Sequence, residues 1–255
     1  MGVSGLMRYV LDSKVDLCLF VNLADIALKY QSELLVDFYA FEHYILSNFF
    51  SRLSKCSQNP YLKLLGGEYG ALDAFVSKVI SDLRQLGLEL IFFIDGGKGS
   101  SRQARSKFHE WKNRHFNDLK RLSVLMDAAK YSENVCQIPK DTWTRPVLLE
   151  VQVLHTLRRC NCEIVQVSSG EADFVLYEAL QSRPKAYAIL SNDSDFCIFE
   201  NCTFIPIDLF DINHDIFDES PDDWLPKAPH RLMCGTIASE NLASLLGVTA
   251  FSMTA

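Results

Sequence analysis

Short apolar runs that end in a carboxylate set the tightest limits on what this chain can fold into. Asp37 closes Leu34-Leu35-Val36, and Asp95 closes Leu90-Ile91-Phe92-Phe93-Ile94. Asp193 and Asp195 follow Ala188-Ile189-Leu190-Ser191-Asn192, and Glu171 and Asp173 lie in Ser169-Gly170-Glu171-Ala172-Asp173. A short run that is apolar throughout predicts a strand covered on both faces, as in a parallel sheet. Ligands of open α/β sheets bind beyond the carboxyl ends of such strands. Four separate stretches are therefore expected to bring acids to one rim. Like charges brought close in a low dielectric repel unless a cation joins them. A hard divalent ion with oxygen ligands fits that need.

The segments between these runs carry helical periodicity. Phe38 to Leu53 sets Phe41, Ile45, Phe49 and Phe50 along one side. Ala71 to Leu86 repeats Leu72, Phe75, Val76, Val79, Ile80, Leu83 and Leu86 at the 3.6 period, and Gly87 ends it as a left-handed cap. Further helices are expected from about Arg102 to Ala129, from Val147 to Arg159 and from Glu171 to Ser182. Strands are expected at Leu34–Asp37, Leu88–Asp95, Glu163–Val167 and Ala186–Ser191, with a shorter one at Thr203–Ile207. The opening to Tyr30 mixes short helical patterns with a loop, and Lys55 to Gly70 is punctuated as a loop. Gly96 to Ser101 is a strand-to-helix turn without the order of a phosphate loop. Strands alternating with helices predict an α/β fold with a mostly parallel central sheet flanked by helices.

No apolar run approaches the roughly 20 residues that span a bilayer, so no membrane partner is expected. The eight cysteines include no Cys-x-x-Cys pair, and several lie in apolar surroundings. They read as reduced, buried thiols of a nuclear or cytoplasmic protein. The net charge of −7 argues against a broad nucleic-acid surface, but its distribution is uneven. Lys98 to Arg121 holds eight Lys or Arg against two acids, whereas Asp208 to Asp223 holds seven acids and no Lys or Arg. A compact basic segment thus follows Asp95 directly.

Each acidic pair taken alone has a plain structural reading, as a helix-terminal or turn residue. An acid that caps an apolar strand is costly unless it is paired or liganded, and four such coincidences favour a site. Sites of this kind hold two metal ions about 4 Å apart, which activate water and stabilise the leaving oxygen of a phosphodiester.

The order of these motifs resembles the flap endonuclease superfamily with its PIN-like nuclease core. Gly2-Val3-Ser4-Gly5-Leu6, Leu35-Val36-Asp37, Phe93-Ile94-Asp95-Gly96, Gly170-Glu171-Ala172-Asp173 and Asn192-Asp193-Ser194-Asp195 carry the resemblance over nearly the whole chain. Leu65-Gly66-Gly67-Glu68-Tyr69, Leu90 to Gly97 and Leu190 to Phe199 resemble most closely the asteroid family and the constitutive coactivators of PPAR-gamma. The resemblance implies one PIN-like domain over residues 1–255, with an N-terminal part to about 130 and an internal part from about 145. It makes Asp37, Asp95, Glu171, Asp173, Asp193 and Asp195 ligands of Mg²⁺ or Mn²⁺, directly or through water, two ions in all, and places Gly2 beside them. His43, six residues after Asp37, falls where flap nucleases stack an aromatic on a base; the alternative is a helix-surface histidine. Lys98, Arg102, Arg105, Lys112 and Arg114 would contact phosphates from the helix after Asp95; the alternative is a solvated face. Trp111 is either a stacking platform or, preferably, a packing anchor.

The implied function is metal-dependent hydrolysis of single-stranded or flap DNA, endo- or exonucleolytic, in DNA repair. DNA is favoured over RNA by the resemblance alone, and protein partners in repair or RNA metabolism are expected. Leu246-Gly247-Val248-Thr249 lacks the acid of the family's last motif, which implies a chain truncated at its C-terminus. The alternative function is a nuclease-fold scaffold, weak or inactive as an enzyme, that binds RNA or protein. A phosphatase-like hydrolase is disfavoured because Asp37-Phe38-Tyr39 lacks a second acid.

Overall fold

Strand β2 (Glu33–Asp37) organises the molecule, because the chain leaves it in one direction and returns on its other side. The computed structural model of the chain describes residues 5–29, 32–56, 68–96, 102–131, 148–168, 172–212 and 231–247. β3 (Glu89–Ile94) and β4 (Glu163–Gln166) stack to one side of β2. β5 (Ala186–Ser191) and β6 (Thr203–Pro206) stack to the other, and all five strands run parallel. β7 (Met233–Ala238) then pairs antiparallel with β6, and β1 (Leu19–Asn22) pairs antiparallel with β7. The result is one seven-stranded sheet in the order β1-β7-β6-β5-β2-β3-β4.

Residues two apart along a strand share a face, and the core divides accordingly. Leu34, Val36, Leu90, Phe92, Ala188 and Leu190 pack on one face, beneath α4 (Phe38–Cys56), α5 (Tyr69–Gln85) and α7 (Leu149–Arg159). Leu35, Ile91, Phe93, Ile189 and Phe204 pack on the other, against α1 (Leu6–Asp12), α2 (Lys14–Leu17), α8 (Asp173–Ser182) and α9 (Ser239–Leu246). α3 (Leu23–Leu28) adds Leu23 to the first cluster. The sheet is therefore covered twice, which explains why its inner strands carry no polar alternation. α6 (Arg102–Tyr131) differs from the other long helices: among its described side chains only Leu125 is buried.

The parallel strands and the long helices fall where periodicity places them, within a few residues. Two strands were not foreseen. β1 lies inside the opening expected to hold only helical patterns and loop, and β7 follows the acidic stretch. α4 continues to Cys56, beyond the expected end at Leu53, so Lys55 and Cys56 are helical rather than loop. The rest of that expected loop, residues 57–67, lies outside the described residues.

The end of α5 shows how local chemistry fixes the entry into β3. Gly87 has φ of 81°, its N–H reaches the Arg84 carbonyl at 2.9 Å, and the Leu88 N–H reaches Leu83 at 3.0 Å. This is a Schellman closure, in which the left-handed residue is ordinarily glycine. A Cβ at Gly87 would meet Ala27 at an ordinary 3.5 Å, so the cost of substitution is dihedral rather than steric. Gly87→Ala is expected to lower stability by about 1–2 kcal/mol, read as a fall in the urea midpoint.

Asp82 of α5 is a second checkable feature. It is 2% exposed and pairs with Lys78 one turn earlier. Its Oδ2 has no hydrogen-bond partner among the described residues. Burial lifts its carboxyl above the ordinary 3.8, and Lys78 only partly offsets this. The native state then binds this proton more tightly than the unfolded chain. The group's cost is fully present above the folded pKa and is relieved as pH falls towards 3.8. Asp82→Asn is therefore expected to raise the melting midpoint at pH 7, with the advantage shrinking on acidification. An advantage that grows as pH falls would contradict this.

Candidate functional site

The crevice where the topology reverses lies between the carboxyl ends of β2 and β5, the usual ligand position in such sheets. Asp37 is the last residue of β2 and Asp95 the first after β3. Ser191 ends β5, and Asp193 and Asp195 follow it. Strand parity places Asp37, Asp95 and Ser191 in the odd series, on the face that packs against α8. All three are thus delivered to one side of one rim by the same alternation that divides the core.

Hydrogen bonds orient Asp37, Asp95 and Asp193. Asp37 Oδ1 accepts from the Tyr39 N–H at 3.0 Å and the Ala40 N–H at 3.4 Å, so it caps the first turn of α4. Its Oδ2 accepts from the Ser191 hydroxyl at 2.8 Å. Asp95 Oδ1 accepts from the Ala172 N–H at 2.9 Å, which ties β3 to the residue before α8. Asp193 Oδ1 accepts from the Asp195 N–H at 3.0 Å and caps a short 3₁₀ helix over Ser194–Cys197. Asp173 is the first residue of α8. Burial is the strongest influence on the Asp37 carboxyl and raises its pKa. The hydrogen bonds from Ser191, Ala40 and Tyr39 lower it, and the nearby Asp95 charge raises it further. Asp37 and Asp95 are thus close enough to repel one another.

The expected residues divide into three groups. Asp37, Asp95, Asp173, Asp193 and Asp195 come to the carboxyl edge, on four neighbouring strand exits. Gly2, Glu171 and Lys98 lie outside the described residues. Arg102 and Arg105 are on the first turns of α6, but their side chains are not among those described. Lys112 and Arg114 are exposed on α6, and Lys112 Nζ lies 5.8 Å from the centre of the Phe116 ring. His43 is exposed on the second turn of α4. The Trp111 side chain also lies outside the described set. Among the described residues, no group of three or more His, Cys, Asp or Glu side chains converges closely enough to hold a metal ion.

The residue that sequence reading passed over is Ser191. It is fully buried, donates to Asp37 and accepts from the Asp193 N–H at 3.1 Å. The signal was present, because Ser191 is a polar residue ending an apolar strand, the feature that singled out Asp37.

No family model matches the chain, and no curated protein matches it. Among solved structures it is similar to the catalytic core of Rad2 in complex with DNA substrate. The TM-score is 0.49 at 14% identity, covering 98% of this chain and 57% of that one. It is also similar to human GEN1 in complex with Holliday junction DNA, with a TM-score of 0.48 at 15% identity, covering 98% of this chain and 47% of that one. The chain spans about half the length of the solved structures it matches.

Proposed function

We propose that this protein is a divalent-cation-dependent nuclease of the flap-endonuclease type, related to the asteroid proteins, that hydrolyses phosphodiester bonds in DNA and serves DNA repair. The observation that carries the reading is the delivery of Asp37, Asp95, Asp173, Asp193 and Asp195 to one edge of adjacent parallel strands, around the reversal crevice. These groups are hard oxygen donors, and the mutual repulsion of Asp37 and Asp95 is of the kind a bound cation relieves. Asp37, Asp95, Asp193 and Asp195 would hold Mg²⁺ or Mn²⁺, with Asp173, the first residue of α8, and Glu171, two positions earlier in the sequence, as further ligands. When bound, such ions lower the pKa of water and neutralise charge at the scissile phosphate.

The chain's own groups supply orientation. Backbone N–H bonds to Asp37, Asp95 and Asp193 fix one oxygen of each carboxylate, which limits the reorganisation needed on loading. Lys112 and Arg114 stand exposed on α6, whose first residue lies seven positions after Asp95, where they can attract phosphates; Lys98, Arg102 and Arg105 precede them in the same basic segment. His43 offers an exposed imidazole for stacking on a base. One observation favours a second reading, a nuclease-fold scaffold binding RNA or protein: no three-ligand group forms among the described residues.

The test is incubation of the protein with end-labelled single-stranded, flap and duplex DNA, and with RNA, in Mn²⁺ or in EDTA. Cleavage of DNA in Mn²⁺, absent in EDTA and weakening with salt as phosphate contacts require, is the expected result. Preferential cutting of RNA would revise the substrate. Binding without cleavage, equal in Mn²⁺ and EDTA, would favour the scaffold.

A further inference from the structure

A helix that covers a core buries its apolar stripe and leaves its polar face to water. α6 does the reverse. Leu125 is its only buried side chain among those described, whereas Phe116, Leu119, Leu122 and Met126 are 51%, 48%, 39% and 64% exposed. At about 100° per residue, Phe116 stands across the helix from Leu125, and Leu119 and Met126 lie more than a quarter-turn round from it. These apolar side chains therefore form a stripe turned away from the protein body.

The stripe has the form of a helix-packing seam. Phe108, Lys112, His115, Leu119, Leu122 and Met126 follow an alternating four-three spacing, the repeat that lets a second helix lie along the first. Lys112 interrupts the apolar series, with its Nζ 5.8 Å from the centre of the Phe116 ring. The helix as a whole carries eight Lys or Arg against three acids, on a chain of net charge −7. We infer that the outward face of α6 is a docking site for an acidic amphipathic helix of a partner protein, whose apolar side chains interleave with Phe116, Leu119, Leu122 and Met126 and whose carboxylates meet Lys112 and the surrounding bases.

A second copy of the chain does not satisfy this face. No acid stands in the seam at any turn of α6, so two such helices packed seam to seam leave both Lys112 side chains without a counter-charge in every register. A charge taken out of water at an interface without its partner is costly. A helix with a carboxylate at the level of Lys112 supplies that partner, and acids on its flanks meet the remaining bases. Charges in and beside the seam are what fix the choice of partner between packed helices. The surface does not involve the acidic rim, so this assignment stands or falls apart from the nuclease reading.

The experiment follows the fluorescence anisotropy of a labelled three-heptad peptide, with Leu along its seam, one Glu among them and Glu on both flanks, as the protein is added in EDTA. Saturable binding that weakens with salt is expected, and none for the same peptide with Lys in place of Glu. Leu119→Ser/Met126→Ser alters only exposed positions, so the melting midpoint should hold while affinity falls about tenfold or more. Lys112→Glu is expected to lose the acidic peptide and to recover affinity for a peptide with Lys at the single seam position. That exchange separates a matched contact from general attraction between an acidic peptide and a basic helix. Absence of saturable binding, or equal binding by the double serine variant, overturns the assignment. So does a wild-type dimer in sedimentation that the double serine variant loses, which would give the face to a second copy. Loss of single-stranded DNA or anionic vesicle binding in that variant, with peptide binding unchanged, would give it to nucleic acid or lipid instead.

Discussion

Replacing Asp193 and Asp195 together by asparagine is expected to abolish Mn²⁺-dependent cleavage, down to the level seen in EDTA, while the fold persists. Asparagine keeps the Oδ1 that accepts from the residue 195 N–H, so the cap on the 3₁₀ helix survives. What disappears is two negative charges from a rim that also carries Asp37 and Asp95. A hard cation discriminates strongly against losing anionic oxygen ligands. Without metal, the double variant is expected to melt at or above the wild-type temperature, because like-charge repulsion at the rim has fallen. Added Mn²⁺ should raise the wild-type midpoint through binding linkage and leave that of the variant unmoved. A folded variant that still cuts at the wild-type rate would separate these acids from the proposed chemistry.

The largest expected effect on stability comes from Phe92→Ala. Phe92 is fully buried on β3, pairs across the ladder with Val36 on one side and Ile164 on the other, and meets Phe41 of α4 edge-on at 5.0 Å between ring centres. Truncation removes a whole ring and leaves a cavity that strands bonded on both sides cannot close. The expected loss is about 3–5 kcal/mol, measured as a shift of the urea midpoint at unchanged slope. The effect should reach the site, because β3 sets the position of Asp95. A loss below about 1 kcal/mol would mean that the core on this face collapses around the gap.

The centre of the sheet was readable because each inner strand is apolar throughout and each long helix holds one period. The acids were readable for the same reason, as the polar residue that ends an apolar run. Grouping on one face follows from parity, since Asp37, Asp95 and Ser191 all extend the odd-numbered series of their strands. β1 and β7 were not legible. β1 is four residues long, with Leu19 and Phe20 more than half exposed, and carries no buried run to recognise. β7 contains Gly235 and Thr236, and its antiparallel pairing with β6 and β1 depends on contacts distant in sequence. Ser191 was missed because a serine hydroxyl in a strand has many local uses, and its bond to Asp37 spans 154 positions.

The most direct test of the cation centre is anomalous diffraction at the manganese edge from crystals soaked in Mn²⁺. One or two peaks are expected at the carboxyl edge, within coordination distance of Asp37, Asp95 and Asp193 or Asp195. An ordered, accessible rim with no peak there would contradict it.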